Sequence, residues 1–513
     1  AGMLGELNQD YPNSNVDEPQ NLSSILMGLC DINSDDDLRI LDITSDSRTV
    51  KPGSCFISVA DDKTLCEEHI QDSIARGATA ILCSYSVQAD RDDVCIKEVD
   101  SLQKHLGTIA NRFFNKPSHS LKVCATTGTN GKTTVAYLTS MAIEILGSNC
   151  GYVGTLGAGS IGRLVETENT SPDVISIHRR FSIFRDKGFQ FANIEASSHG
   201  LHQGRLDGVK LETAAFTNLS RDHLDYHGTM AAYLESKSLL FAKSDVEQGI
   251  INIDDEAGRL IFQSVSSHLK MWACSSSALD GCLKAERQVQ ASHILSTTRG
   301  SSFTLSYNEI TERVFSPLIG KFNVDNLLIV VATLLALDYP FEDICRCISK
   351  LDQIPGRMEY CGESDVGAKI YVDYAHTPDS LRAALQAIAA SEPAKVSVVF
   401  GCGGQRDQGK RALMGCIAEQ LSGQVFITTD NPRDEAQDAI AADILQGMNE
   451  PDKAVVIEDR KEAICAAIFA AHVGEVVLIA GKGHETVQTD SRGARYHSDL
   501  SFVAEVLHKA SSI

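Results

Sequence analysis

Residues 121–135, Leu-Lys-Val-Cys-Ala-Thr-Thr-Gly-Thr-Asn-Gly-Lys-Thr-Thr-Val, constrain this chain more than any other stretch. A short apolar run leads into a glycine-containing turn, and Gly131-Lys132-Thr133 opens a helical pattern through Leu138. A strand that turns straight into a helix aims several backbone N–H groups at one point. Those groups bind phosphate, a lysine meets its charge, and a hydroxyl reaches Mg²⁺. Gly128, Thr129, Asn130, Gly131, Lys132, Thr133 and Thr134 are therefore expected to cradle a nucleotide. One departure stands out: Thr126 occupies the place of the first glycine in G-x-x-x-x-G-K-[ST].

Such a loop belongs at the end of a sheet strand, and the surrounding sequence agrees. From 119 to 355, apolar runs alternate with helical patterns, with strands expected at 123–125, 189–194, 214–216 and 249–253. The first three run directly into polar clusters: the loop itself, Glu-Ala-Ser-Ser-His-Gly, and Thr-Asn-Leu-Ser-Arg-Asp-His. Ligands of open α/β sheets gather at the carboxyl ends of strands, so these clusters predict one shared site. A second α/β run fills 356–513, with strands expected at 370–372, 396–400, 425–428, 455–457 and 476–479, each but the fourth ending in a polar turn. It reads as a Rossmann-like domain. Residues 1–118 carry strand-like runs at 38–43, 55–59 and 78–82 and an amphipathic stretch at 70–75, but no phosphate loop. Asn115-Lys116-Pro117-Ser118 reads as a linker.

The 513 residues suit two to four domains. The balance of 46 Lys and Arg against 68 Asp and Glu gives a net charge of −22, with no basic block. That disfavours nucleic acid and anionic membrane, so an anionic substrate must be met by locally placed Arg, Lys and backbone N–H groups. Fifteen cysteines lie scattered without a C-x-x-C pair, as in a reduced cytosol. No signal peptide or bilayer-spanning apolar run is read, and Ala1-Gly2-Met3 is taken as an expression scar. A soluble, cytoplasmic protein is expected.

Mg²⁺ prefers oxygen ligands and keeps several waters. Thr133 is the expected first ligand, and Glu195, at the end of an apolar strand, is the natural carboxylate. Histidines in Asp222-His223-Leu224-Asp225-Tyr226-His227 and Ser198-His199-Gly200-Leu201-His202 raise zinc as an alternative, but there is no H-E-x-x-H and no cysteine pair. A zinc hydrolase and a slowly hydrolysing nucleotide switch stay as rivals from other classes.

The string Thr127-Gly128-Thr129-Asn130-Gly131-Lys132-Thr133-Thr134 resembles the ATP loop of the Mur ligase superfamily, which includes the folylpolyglutamate synthetases and forms amide bonds at the expense of ATP. The resemblance extends in order along the chain. It takes in Thr44-Ser45-Asp46-Ser47-Arg48, Asn169-Thr170-Ser171-Pro172-Asp173, Glu195-Ala196-Ser197-Ser198-His199-Gly200-Leu201, the Asp222–His227 string, Gly320-Lys321-Phe322-Asn323-Val324-Asp325-Asn326 and Pro355-Gly356-Arg357-Met358-Glu359. Asp373-Tyr374-Ala375-His376-Thr377-Pro378-Asp379, Gly403-Gly404-Gln405-Arg406-Asp407, Asp430-Asn431-Pro432-Arg433 and Gly481-Lys482-Gly483-His484-Glu485 complete it. The match is to the branch that adds the third amino acid of the peptidoglycan stem peptide to UDP-N-acetylmuramoyl-L-alanyl-D-glutamate.

What the resemblance implies is an α/β chain of three domains: a UDP-substrate domain (1–118), a P-loop ATPase-like domain (119–355) and a Rossmann-like amino-acid domain (356–513). It implies ATP and Mg²⁺, an acyl-phosphate intermediate and a monomer. Lys132, Glu195, His223 and Lys237 would be catalytic, with His223 and a carbamylated Lys237 joining Thr133 and Glu195 as metal ligands. On the bare sequence, Lys237 is an ordinary solvated helix lysine. Asn323 and Asn326 would contact adenine, Asp373 the ribose and Arg357 the phosphates. Ser47, Thr170, Ser171, Ser197, Gln203 and Arg205 would hold the UDP-dipeptide. Arg406, Asp430, Asn431, Arg433, Gly481 and Glu485 would hold meso-diaminopimelate, whose distal carboxylate suits the planar fork of Arg433. Two departures are visible. Ser171 replaces the second threonine of Asn-Thr-Thr-Pro, and Cys66-Glu67-Glu68-His69 stands in a shortened uridine region where Ser47 is the firmer contact.

Overall fold

The β-branched runs form parallel strands because apolar residues cover both of their faces. This computed structural model describes residues 19–59, 62–85, 87, 94–167, 170–265, 267, 269–277, 285–391 and 394–510. Asp42–Thr44, Ser54–Ile57, Ala80–Cys83 and Cys95–Glu98 pair in that order as a parallel sheet. Successive side chains alternate between two cores. Ile43, Cys55, Ile57 and Leu82 meet Leu106, Ile109 and Phe113 of helix Leu102–Phe113. Phe56, Ile81 and Cys83 meet Cys66, Ile70 and Ile74 of helix Lys63–Ala75. Burial on both faces is what a parallel sheet requires. The strand expected at 38–43 is broken. Arg39–Ile40 pairs antiparallel with Gln20–Asn21, and the chain passes to the parallel sheet at Leu41, which is half exposed and donates its N–H to Gly53 O.

Two compact units divide the chain, one from residues 1–125, 148–212 and 243–246, the other from 126–147, 213–242 and 247–513. Besides the parallel sheet, the first unit holds Cys150–Gly154, parallel to Phe191–Glu195 and extended antiparallel by Gly157–Ser160 and Arg163–Val165. In the second unit, Lys270–Ser275 runs parallel to its neighbours, after which Arg287–Thr297, Gly300–Tyr307 and Ile310–Ser316 form an antiparallel meander. The sequence reading had no meander here. Helix Lys321–Ala336 is apolar nearly all round and almost wholly buried, as the core of a large domain demands.

The remaining sheet takes the order Glu359–Glu363, Lys369–Asp373, Val476–Ala480, Val396–Phe400, Gln424–Ile427, Val455–Val456, parallel except for its first pair. The last strand of the parallel set in sequence thus lies between the first two. The polar turns after Asp373, Phe400, Ile427 and Ala480 leave from neighbouring strand ends, where open α/β sheets bind ligands. Beneath those ends, Arg460 is fully buried. It donates twice to Asp499 (2.9 and 2.7 Å) and once each to Ala480 O and Thr429 O. The guanidinium and His497 hold the Asp499 carboxyl far below the usual carboxylate range despite its burial. Among the described residues, the cysteines are free thiols, and no helix is long and apolar enough to cross a membrane.

Arg460→Met leaves the buried Asp499 carboxylate with His497 in place of the two-pronged guanidinium, so it should cost about 3–5 kcal/mol of unfolding free energy. Urea titration at pH 7 measures this, and adding Asp499→Asn should return part of the loss by removing the buried charge.

Candidate active site

The phosphate loop leaves strand Lys122–Thr127 and enters helix Lys132–Ile145. Gly131 has φ +87°, and a Cβ there would strike the Asn326 side-chain oxygen, so glycine is required on both counts. The loop is clamped from behind by the segment that follows strand Leu211–Phe216. Asn130 N–H donates to Asn218 Oδ1 (2.9 Å), Asn218 Nδ2 donates to Asn130 O (3.1 Å), and Thr217 Oγ1 donates to Asn130 O (2.6 Å). Thr129 N–H donates to Asn218 O, and Ser220 N–H donates to Thr129 Oγ1. Thr217, Asn218 and Ser220 were visible only as part of a motif. No spacing rule marks them, because their contribution is to fit one backbone against another.

Three cations face this loop. Lys132 Nζ donates to Gly128 O and Thr129 O (both 2.9 Å). Arg357 donates to Thr133 Oγ1 (3.0 Å) and lies 4.3 Å from the centroid of the Tyr374 ring. Lys237, in helix Met230–Ala242, is buried, donates to Gly128 O (2.8 Å) and lies 4.3 Å from the Tyr233 ring centroid. The reading of Lys237 as a solvated lysine is thus overturned. Helix Met230–Ala242 has too weak an apolar pattern for the sequence to show which face it buries. Burial, and then the charge of Lys132, press the Lys237 amine well below the ordinary lysine range.

A cleft of about 330 Å³ opens beside the loop. Asn130, Gly131, Thr134, Asn323, Asn326, Arg357 and Asp373 line it, with Phe322, Tyr374 and Asp255. Asn323 spends one N–H on Ile319 O, and Asp373 accepts from the N–H groups of Met358 and Ala375. Burial raises the Asp373 carboxyl, with Arg357 opposing. One cavity thus gathers loop residues and four residues from far along the chain, with the dimensions and flat side groups to take a nucleotide.

A second cleft, about 260 Å³, sits at the carboxyl ends of the six-stranded sheet. It brings together all six residues expected there, Arg406, Asp430, Asn431, Arg433, Gly481 and Glu485, and adds His223, Asp222, His376 and Lys410. Glu485 is held by Tyr374 OH (3.3 Å), Asn431 Nδ2 (3.2 Å) and Lys482 Nζ (2.7 Å). Arg433 has φ +53°, a left-handed backbone that costs a non-glycine residue about 1–2 kcal/mol. Its guanidinium donates to Gly404 O (2.8 Å), and burial, then Arg406, lower its pKa. Asp222, almost fully buried, lies within 3.3–3.6 Å of His223, Lys410 and His376. Those three hold its carboxyl well below the usual range against the opposing effect of burial.

In the first unit, Glu195 is completely buried and accepts from Tyr152 OH, Thr155 N–H (2.9 Å) and Thr155 Oγ1 (3.1 Å). Thr155 also donates to Thr170 Oγ1. Ser171 donates to Glu195 O (2.8 Å) and accepts from Ser197 N–H (3.0 Å), and Arg205 grips Ser171 O and Gln203 Oε1. Five of the six expected UDP-dipeptide residues therefore form one network around Glu195. Asn169 of that motif lies outside the described residues. Ser47, the sixth, hydrogen-bonds Asp72, and beside it a cleft of about 770 Å³ is lined by Thr44, Asp46, Arg48, Lys51, Arg179 and Arg180 among others. Among the described residues no three His, Cys, Asp or Glu side chains converge as a protein metal cage would. The hydroxyl of Thr133 and the carboxylate of Glu195 are hard oxygen donors of the kind Mg²⁺ takes, and it commonly completes its shell with phosphate oxygens and water.

Two family models match the sequence, the Mur ligase middle domain over residues 126–334 and the glutamate ligase domain of Mur ligases over 356–483. A UDP-N-acetylmuramoyl-L-alanyl-D-glutamate–2,6-diaminopimelate ligase of Xanthomonas campestris is 40% identical over 472 residues, 91% of this chain and 94% of that one. The enzyme of the same name from Pseudomonas aeruginosa is 41% identical over 461 residues, 88% and 92% of the two chains. A solved structure of a ligase of that name superposes with a TM-score of 0.68 at 30% identity, covering 96% of this chain and 99% of the other. With a phosphate loop clamped as described, this fold and these relatives, the chain belongs to the Mur ligase family.

Proposed function

We propose that this protein is an ATP-dependent ligase that joins meso-diaminopimelate to the γ-carboxylate of D-glutamate in UDP-N-acetylmuramoyl-L-alanyl-D-glutamate, releasing ADP and phosphate. The observation that carries the reading is the 260 Å³ cleft, where Arg433 and Arg406 stand among Asp430 and Glu485. A diamino diacid presents two carboxylates and two ammonium groups, and a cleft mixing two forks of positive charge with two carboxylates answers both. We place this activity in the cytoplasmic synthesis of peptidoglycan precursors, carried out by a monomer. The three functional segments are 1–118 for the UDP-substrate, 119–355 for ATP and 356–513 for the amino acid.

In this reading, the γ-carboxylate attacks the γ-phosphorus of ATP, the bond to ADP breaks, and an acyl phosphate results. The incoming amine then adds to the acyl carbon, loses a proton, and expels phosphate. Phosphoryl transfer asks chiefly for positioning and charge neutralisation. Lys132 and Arg357 supply positive charge at the loop, and the backbone N–H groups from Gly131 to Thr133, at the start of the helix, orient the phosphates. Asn323, Asn326 and Asp373 hold the nucleoside. Ser171, Ser197, Gln203 and Arg205 hold the peptide end of the UDP substrate, with Ser47 and Thr170 beyond them. In the second unit, Thr133, His223 and a carbamate on Lys237 would hold Mg²⁺, which supplies further positive charge when bound. The burial of Lys237, which presses its amine below the ordinary lysine range, supports that carbamate, which forms when the deprotonated amine adds to CO₂ and releases a proton.

Lys132→Ala and Glu195→Ala should each lower kcat by about 10²–10³ with the fold intact, the usual cost of losing a preorganised electrostatic group. Phosphate release in the presence of both co-substrates, with circular dichroism as control, measures this, and near-wild-type turnover in either variant would refute the assignment.

The second test concerns the amino acid. L-Lysine lacks the distal carboxylate, so it would leave Arg433 without its partner in a half-buried site. Discrimination of roughly 10⁴ in kcat/KM is expected. Arg433→Ala should raise the KM for diaminopimelate far more than the KM for ATP. Comparable efficiency with lysine in the wild type would overturn the substrate.

Lys237→Ala should be inactive and should regain part of its turnover when acetate or formate is supplied, because a small carboxylate can occupy the space of the lost carbamate. Full activity without rescue would show that the carbamate has no role.

A further inference from the structure

One short segment, Thr217 to Asp225, touches both clefts of the second unit. Its first half grips the phosphate loop through Thr217, Asn218 and Ser220. Its second half grips the amino-acid cleft. Arg221 forms a two-pronged pair with Asp407, Nε to Oδ2 and Nη2 to Oδ1, both at 3.0 Å. Asp225 lies 3.7 Å from Arg406, and Asp222 lies 3.4 Å from Lys410. The partners of the second half are therefore consecutive or nearly so: Arg406, Asp407 and Lys410.

Asp407 is the middle of that group. It is 7% exposed, accepts from Gly409 N–H (3.0 Å) at the start of helix Gly409–Leu421, and stands between two cations that line the cleft. Arg221 does not line the cleft, and its side chain is 43% exposed. A long exposed arginine held by both prongs to a buried carboxylate is not explained by surface charge pairing, which contributes little. It fixes the angle of the turn that presents Arg406. Gly409 leaves the room, since a Cβ there would run into the Arg221 guanidinium.

We propose that Arg221 and Asp407 are positioning residues that couple the nucleotide cleft to the amino-acid cleft, so that an occupied phosphate loop sets Arg406 and Lys410 for the incoming amino acid. The inference rests on the reading under Proposed function. Its chemical sense is protection of the activated intermediate: an acyl phosphate with no amine beside it is open to water, so the amine should bind best when the nucleotide is already in place. Coupling of this kind is reciprocal, and each ligand must strengthen the other by the same factor.

The test is isothermal calorimetry of meso-diaminopimelate, with and without a non-hydrolysable ATP analogue and Mg²⁺, on wild type, Arg221→Ala and Arg221→Lys. In the wild type the analogue should tighten diaminopimelate binding at least about fivefold, the lower end of ordinary coupling. Arg221→Ala should bring that ratio close to one while its affinity for the analogue alone stays within twofold of wild type and its thermal midpoint is retained. Arg221→Lys keeps the charge but loses the fork, and should keep only part of the ratio. An unchanged ratio in Arg221→Ala would overturn the proposal. So would an equal loss of analogue binding alone, which would make the pair a plain support of the loop. Wild type that turns over a different amino acid, and binds it with the same analogue-dependent ratio, would refute the assigned substrate and leave the pair's role standing.

Discussion

The position of one backbone turn governs the chemistry of this molecule. The N–H groups that open helix Lys132–Ile145 can meet phosphate only if the turn at 128–131 before them holds one shape, and an isolated glycine-rich turn has no reason to hold it. Here the turn is fixed by Asn218, whose side-chain amide satisfies both the N–H and the C=O of Asn130, and by Thr217 and Ser220 on either side. The buried polar groups of the loop are paired within the protein, so little reorganisation is left for the ligand to drive. This also accounts for the tolerance of Thr126 in place of a first glycine: the clamp does from outside what a more flexible backbone would do from within.

Around that turn, an acidic chain has assembled a concentrated positive site. The net charge of −22 belongs to the surface as a whole, whereas Lys132, Lys237 and Arg357 all converge on loop atoms. Burial, and then the charge of Lys132, press the Lys237 amine below the ordinary lysine range. The amino-acid cleft handles the same difficulty differently. Its cations and carboxylates alternate, and Asp222 serves three positive or titratable neighbours at once. Substrate charge can enter such a cleft by exchange of partners, without a new burial of unpaired charge.

Much of this was legible in the sequence, for identifiable reasons. The phosphate loop and the parallel strands at 396–400 and 476–479 announce themselves through local patterns, glycine spacing, β-branched runs and polar turns at strand ends, whereas the six residues of the amino-acid cleft were read from the family resemblance alone. The antiparallel meander at 287–316 was missed because its outer strands are largely exposed, although Phe303-Thr304-Leu305-Ser306 in its middle strand alternates as a half-buried strand does. Edge strand Glu359–Glu363 and hairpin Val487–Asp490 with Gly493–Tyr496 escaped for the same reason. The burial of Lys237 depends on what covers its helix, and the role of Asp222 depends on His376 and Lys410, both distant in sequence. Pairwise geometry of that sort leaves no trace in a single sequence.

The contact between Gly131 and Asn326 carries a consequence for how such a chain can drift over evolutionary time. The first residue belongs to the loop and the second to a helix far along the sequence, yet the space for a side chain at 131 is the space that the Asn326 amide already fills. A larger residue at either place evicts the other or twists the loop. Shortening Asn326 would free that space, but the left-handed backbone at 131 would still exclude other side chains, so the glycine is held by two constraints of which a change elsewhere can lift only one.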